Sequence, residues 1–94
     1  MRANIAVKAI DRSTKRTIPG VNIELGAATY SLKQVTDQLG SAAFTIDVGG
    51  EEAGRHPEEG VAILLTATKP GYGMKRDRFI TYGNRAVIFQ MVRK

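Results

Sequence analysis

Apolar and polar residues alternate with a period of two along most of the chain, and Ser41 to Val48 is the clearest case. There Phe44, Ile46 and Val48 fall on one side and Thr45 and Asp47 on the other, as in a strand with one dry face. A tight-turn signal, Thr36-Asp37-Gln38-Leu39-Gly40, stands just before it. The Asp side chain can accept from amides two residues on, and Gly40 can take the positive φ that closes a reversal. The same alternation predicts strands over 3–10, with Ile5, Val7 and Ala9 on one face, and over 21–25, with Val21, Ile23 and Leu25 set against Asn22 and Glu24. Over 29–35 it offers Tyr30 and Leu32 to the core and Ser31 and Lys33 to water. Over 61–67 it aligns Val61, Ile63, Leu65 and Ala67, and Leu64 on the opposite face implies a strand covered on both sides or one that sits beside a contact. Met74 to Tyr82 and Arg85 to Val92 read as two arms of a hairpin about Gly83-Asn84.

The segments between these strands are rich in turn formers. Residues 11–20 end in Pro19-Gly20 and cannot continue a sheet. Residues 49–60 hold four Gly, four Glu and a Pro in twelve positions, a composition expected to give a mobile acidic loop. With no segment of helical period and no repeat, the pattern predicts an all-β, seven-stranded antiparallel Greek-key sandwich over residues 1–94 as a single domain. One core is expected, built from Val21, Ile23, Phe44, Ile46, Ile63, Leu65, Val87 and Phe89.

Composition changes this picture little. Ninety-four residues supply one core, and 43% hydrophobic with 24% charged residues argues against a disordered chain or a membrane span. No cysteine is present, so disulfides and thiolate chemistry are excluded and the redox compartment stays open. The first ten residues carry no long apolar run or cleavage pattern and read as a strand, not a signal peptide. The net charge of +5 is spread from Arg2 to Lys94 with acids among it, whereas nucleic-acid binding needs a concentrated basic face with aromatic platforms.

Three residue sets bear on chemistry. His56 is the single histidine and is expected to be a solvated loop residue, since a metal site wants three or four converging ligands. Ser13, Ser31 and Ser41 therefore lack a structured histidine for a triad. The glycines form no phosphate-cradling loop, so no catalytic residue, metal or cofactor is assigned. The one local concentration of charge and aromatic residues is Lys69, Tyr72, Lys75, Arg76, Arg78, Tyr82 and Arg85. It is either a patch that grips phosphates, an acidic protein or a glycan, or the solvated, charge-protected edge of a sheet. Leu64 and Ile88 are the candidates for an apolar patch that would hold such a partner.

Thr17-Ile18-Pro19-Gly20-Val21, Thr36-Asp37 with Gly40 before Phe44, and Lys69-Pro70-Gly71-Tyr72 follow one another in an order that resembles the carboxypeptidase regulatory-like family. These are transthyretin-like sandwiches, similar also to bacterial surface Ig-like and collagen-adhesin B-type repeats. The resemblance covers nearly the whole chain and implies a seven-stranded Greek-key sandwich with a non-catalytic spacer, adhesive or assembly role. The acidic stretch from Gly49 to Gly60 departs from the pattern. Hydroxyisourate hydrolases share the sandwich, but the resemblance to them would require a histidine-bearing channel and a C-terminal tail unlike Met91-Val92-Arg93-Lys94. Collagen-adhesin repeats can join Lys to Asn beside a buried carboxylate. Lys8, Asn84 and Glu24 are the matching residue types, yet alternation puts Lys8 and Glu24 on wet faces.

The expectation is therefore a structural module for protein–protein interaction, docking on a larger assembly or on copies of itself. A virion decoration or appendage protein is one setting, which the small size and absent signal peptide suit. A secreted or cell-surface adhesin domain is the first alternative. A basic nucleic-acid-binding protein, whose affinity would fall steeply with salt, is the second.

Overall fold

Alternation becomes burial along nearly every strand. In β1 (Arg2–Asp11) Ala3, Ile5, Val7 and Ala9 point into the protein, and Asp11 continues the same inward series. The computed structural model describes residues 2–28, 30–47 and 60–94. Within them β2 (Asn22–Gly26), β3 (Ser31–Val35), β4 (Ser41–Asp47), β5 (Val61–Thr68), β6 (Lys75–Thr81) and β7 (Arg85–Met91) complete seven strands. They form a three-stranded sheet ordered β4-β1-β7 and a four-stranded sheet ordered β3-β2-β5-β6. The predicted sandwich is present. All eight expected core residues are buried, joined by Leu25, Phe79 and Met91 among others. The expected acidic loop falls almost wholly outside the described residues, as does Val48.

Three details differ from expectation. Residues 74–92 do not form a hairpin, because β6 pairs antiparallel with β5 whereas β7 runs parallel to β1 in the other sheet. Neither Gly83 nor Asn84 takes the positive φ that a two-residue hairpin turn needs. Instead the Asn84 Oδ1 accepts the Asn4 amide at 2.8 Å, tying the corner to β1 as the chain changes sheet. The sandwich is thus antiparallel except for this one parallel pairing. Tyr30 precedes β3 and stays 38% exposed, so Leu32 alone packs from that segment against the core.

The turns flanking β2 and β4 are stapled together by Thr36. Its buried hydroxyl accepts the Val21 amide at 2.9 Å and donates to the Ile18 carbonyl at 2.8 Å, while its carbonyl accepts the Gly20 amide. Asp37 then closes the reversal into β4, its Oδ1 accepting the Leu39 and Ser41 amides. Thr36→Val keeps the side-chain shape but leaves two buried backbone groups short of a partner. We expect a loss of about 1–3 kcal/mol in denaturant unfolding, with Thr36→Ser retaining most of the stability. Equal midpoints for Thr36→Val and the native protein would contradict this role.

Candidate functional site

The candidate patch is built on β6, the outer strand of the four-stranded sheet. Phe79 and Thr81 face inward, so Arg76, Arg78 and Ile80 face out, and Tyr82 continues their series. Register places Leu64 of β5 beside Arg78, Thr66 beside Arg76 and Ala62 beside Ile80. On β2, Gly26 lies next to Leu64 and brings no side chain to cover it, so Leu64 is half-buried. Ile80 and Tyr82 are 51% and 57% exposed and flank Gly60, where a Cβ would stand 2.6 Å from Ile80 and 2.9 Å from Tyr82. Arg76 and Arg78 form no ion pair among the described residues. Across the same face the neighbouring pair Lys33 and Glu24 cancels, leaving these two arginines as its uncompensated charge among the described residues.

The remaining candidates lie elsewhere. Lys75 alternates with Arg76 and turns to the other side of β6. The Arg85 guanidinium sits 4.3 Å from the Phe79 ring centre and covers the core's open side between β6 and β7. Lys69 Nζ donates to the Pro19 carbonyl at 2.7 Å. Ile88, 63% exposed, lies on the outer face of the three-stranded sheet beside Lys8. Leu64 and Ile88 are thus on opposite faces of the sandwich and cannot form one patch. Alternation alone could not reveal this, because it says which face of a strand is wet but not to which sheet the strand belongs.

Tyr72 belongs to a cluster that the sequence reading missed. Asp11 continues the inward series of β1, and Arg93 lies two residues beyond Met91, the register partner of Asp11 on β7. Tyr72 reaches them from the β5–β6 connection of the other sheet and forms a backbone bridge with Arg93. Asp11 Oδ1 accepts the Ser13 and Thr14 amides, and Oδ2 accepts the Tyr72 hydroxyl at 3.0 Å and Arg93 Nε at 2.9 Å. The cluster clamps the two sheets at one end.

The bond from the Thr14 amide, helped by Tyr72, Ser13 and Arg93 and opposed by burial, holds the Asp11 carboxyl at about 2, below its ordinary 3.8. Folded Asp11 thus binds its proton less tightly than unfolded Asp11. The stability it adds is complete above pH 3.8 and drains away as pH falls toward about 2. Acid unfolding should show this slope in the native protein and a flatter one over that window in Asp11→Asn. Identical slopes would remove Asp11 as a source of acid sensitivity.

Lys8 and Glu24 project from the outer faces of opposite sheets, and Asn84 is exposed at the sheet-changing corner, so these three do not meet. The Ser13 amide is used in the turn that holds Asp11, and His56 lies outside the described residues. Among the described residues no group of three or more His, Cys, Asp or Glu could hold a metal, and no helix is long and apolar enough to cross a membrane.

Sheet order, strand number and the absence of helix among the described residues define a transthyretin-like, Ig-like β-sandwich. No protein-family model and no curated protein sequence matches the chain. Solved structures do match in fold. A 5-hydroxyisourate hydrolase from Klebsiella pneumoniae has a TM-score of 0.71 at 16% identity, over 98% of this chain and 92% of the hydrolase. The pilus 2b backbone protein of group B streptococcus has 0.70 at 16% identity, over 97% of this chain and 41% of its own. A 3-chlorocatechol 1,2-dioxygenase from Rhodococcus opacus 1CP has 0.74 at 10% identity, and this chain spans 60% of its length. One fold thus carries a hydrolase, a pilus backbone and a dioxygenase, so function must be argued from the surface.

Proposed function

We propose that the chain is a non-catalytic interaction module that docks on a larger assembly through the outer face of its four-stranded sheet. The observation that carries this reading is the pair Arg76 and Arg78, free of ion pairs among the described residues, beside exposed Ile80 and Tyr82 and half-buried Leu64. Exposed charge pairs contribute at most about 1 kcal/mol each, so the arginines steer an acidic partner into register and the apolar side chains retain it. The occurrence of this sandwich in a pilus backbone protein supports an assembly role. A virion decoration or appendage is one form that such an assembly takes, and a cell-surface fibre is another.

The test is co-sedimentation of the purified protein with the high-mass fraction of the cells or particles that produce it. The native protein and Ile88→Ser, altered on the opposite face, should both pellet. The double variant Arg76→Glu/Arg78→Glu should stay in the supernatant while keeping its native unfolding midpoint. Equal pelleting of the double variant would reduce β6 to a charge-protected edge.

A further inference from the structure

The end of the sandwich that Asp11 clamps also holds a cleft of about 500 Å³, walled by Arg16, Thr17, Ile18, Pro19, Tyr72 and Arg93 with Asp11 at its base. Its walls are held in place. The Asp11 amide donates to the Arg16 carbonyl, the Lys15 amide donates to the Asp11 carbonyl, and Lys15 is the one described non-glycine residue with positive φ. Thr17 bridges to Ile10 of β1, and Lys69 Nζ secures the Pro19 carbonyl while adding a positive charge behind it. On the other side Arg93 is oriented through Nε, which donates to Asp11 and, at 3.3 Å, to the Tyr72 hydroxyl. Those bonds use Nε and leave the two terminal nitrogens of the guanidinium without a partner among the described residues.

Two arginines, Arg16 and Arg93, thus line a cleft that holds one carboxylate, and that carboxylate already has a donor on each lone-pair region it can offer. Arg16 has no ion-pair partner among the described residues. A second carboxylate would balance the charge, and a guanidinium held in a fixed plane is suited to accept one in a forked pair of hydrogen bonds. Ile18, Pro19 and the Tyr72 ring add apolar surface beside Thr14 and Thr17, which favours a carboxylate carried next to an aliphatic side chain over a bare hydrated ion. We infer that this cleft is a binding site for a carboxylate of a protein partner that is flanked by an aliphatic side chain, with Arg16 and Arg93 as its anion-binding residues. It is separate from the β6 face, so either can fail without the other.

N-acetyl-leucine carries this pair of groups and serves as the probe, titrated into the isotope-labelled protein and followed by amide chemical shifts. Saturable shifts are expected at Thr14, Arg16, Thr17 and Tyr72, with a Kd of about 1 mM for so small a ligand. N-acetyl-leucine amide, which lacks the charge, should cause none. Arg16→Gln, exposed and outside the clamp, should weaken binding about tenfold with an unchanged spectrum elsewhere. The inference is overturned if the neutral amide shifts the same residues, if Arg16→Gln binds as tightly as the native protein, or if inorganic phosphate binds more tightly than N-acetyl-leucine.

Discussion

Phe44→Ala is expected to lower the unfolding free energy by about 3–5 kcal/mol, because it removes a ring buried between the sheets and leaves a cavity that a packed sandwich refills poorly. Phe44 is 4% exposed and is the register partner of Ile5, which is fully buried at the centre of β1. Since β4 is an edge strand with one neighbour, its attachment rests on Phe44 and Ile46. Urea unfolding of Phe44→Ala should show a lower midpoint at nearly unchanged slope. Thr45→Ala, next along the strand but facing water, should stay near the native value. Similar midpoints for the two variants would mean that β4 presents its other face to the core.

Gly40→Ala should cost a comparable amount for a different reason. Gly40 has φ of 72°, and an added Cβ would stand 2.8 Å from the Ala9 carbonyl oxygen and 2.9 Å from Thr17 Cβ. The left-handed backbone alone costs a non-glycine residue roughly 1–2 kcal/mol. The collision is with the backbone of β1, which already accepts the Ile18 amide there and donates the Ala9 amide to the Gly40 carbonyl. Relieving it adds on the order of 1–3 kcal/mol. Gly71 separates the two contributions, since its φ is 88° but nothing lies within 4 Å of its Cβ position. Gly71→Ala should pay only the conformational part. Equal losses at both positions would show that β1 yields to the new methyl group.

Most of the fold was legible because a strand with one wet face writes its orientation into every second residue. Val21, Ile23, Ile63 and Leu65 needed no more than that, and Asp37 with Gly40 announced the turn by chemistry that the structure contains. Sheet membership was not legible. Val87 and Phe89 alternate in the same way whether β7 folds back on β6 or crosses to pair with β1, and Gly83-Asn84 permits both. β6 was ambiguous because Phe79 and Ile80 are adjacent apolar residues, so either could have faced the core. Burial of Phe79 and of Thr81, whose hydroxyl donates to the Gly83 carbonyl at 2.7 Å, decides it.

The Asp11 clamp was hidden by distance along the chain. Its side-chain partners Tyr72 and Arg93 are 61 and 82 residues away. One signal was present, since Asp11 falls on the inward series of Ala3, Ile5, Val7 and Ala9. A carboxylate delivered to the end of a core strand must find donors there. The basic patch was recognised as a composition, but only register could divide it into an outward face at Arg76 and Arg78, a core cover at Arg85 and a wall support at Lys69.

Docking through β6 is most directly tested by comparing backbone amide exchange in the free protein with that in the co-sedimented complex. Exchange should slow over Lys75 to Tyr82 and at Leu64, and remain unchanged over Arg85 to Met91 of β7. Slowing confined to β7 or β4, with Lys75 to Tyr82 exchanging as in the free protein, would contradict the assignment of the docking face.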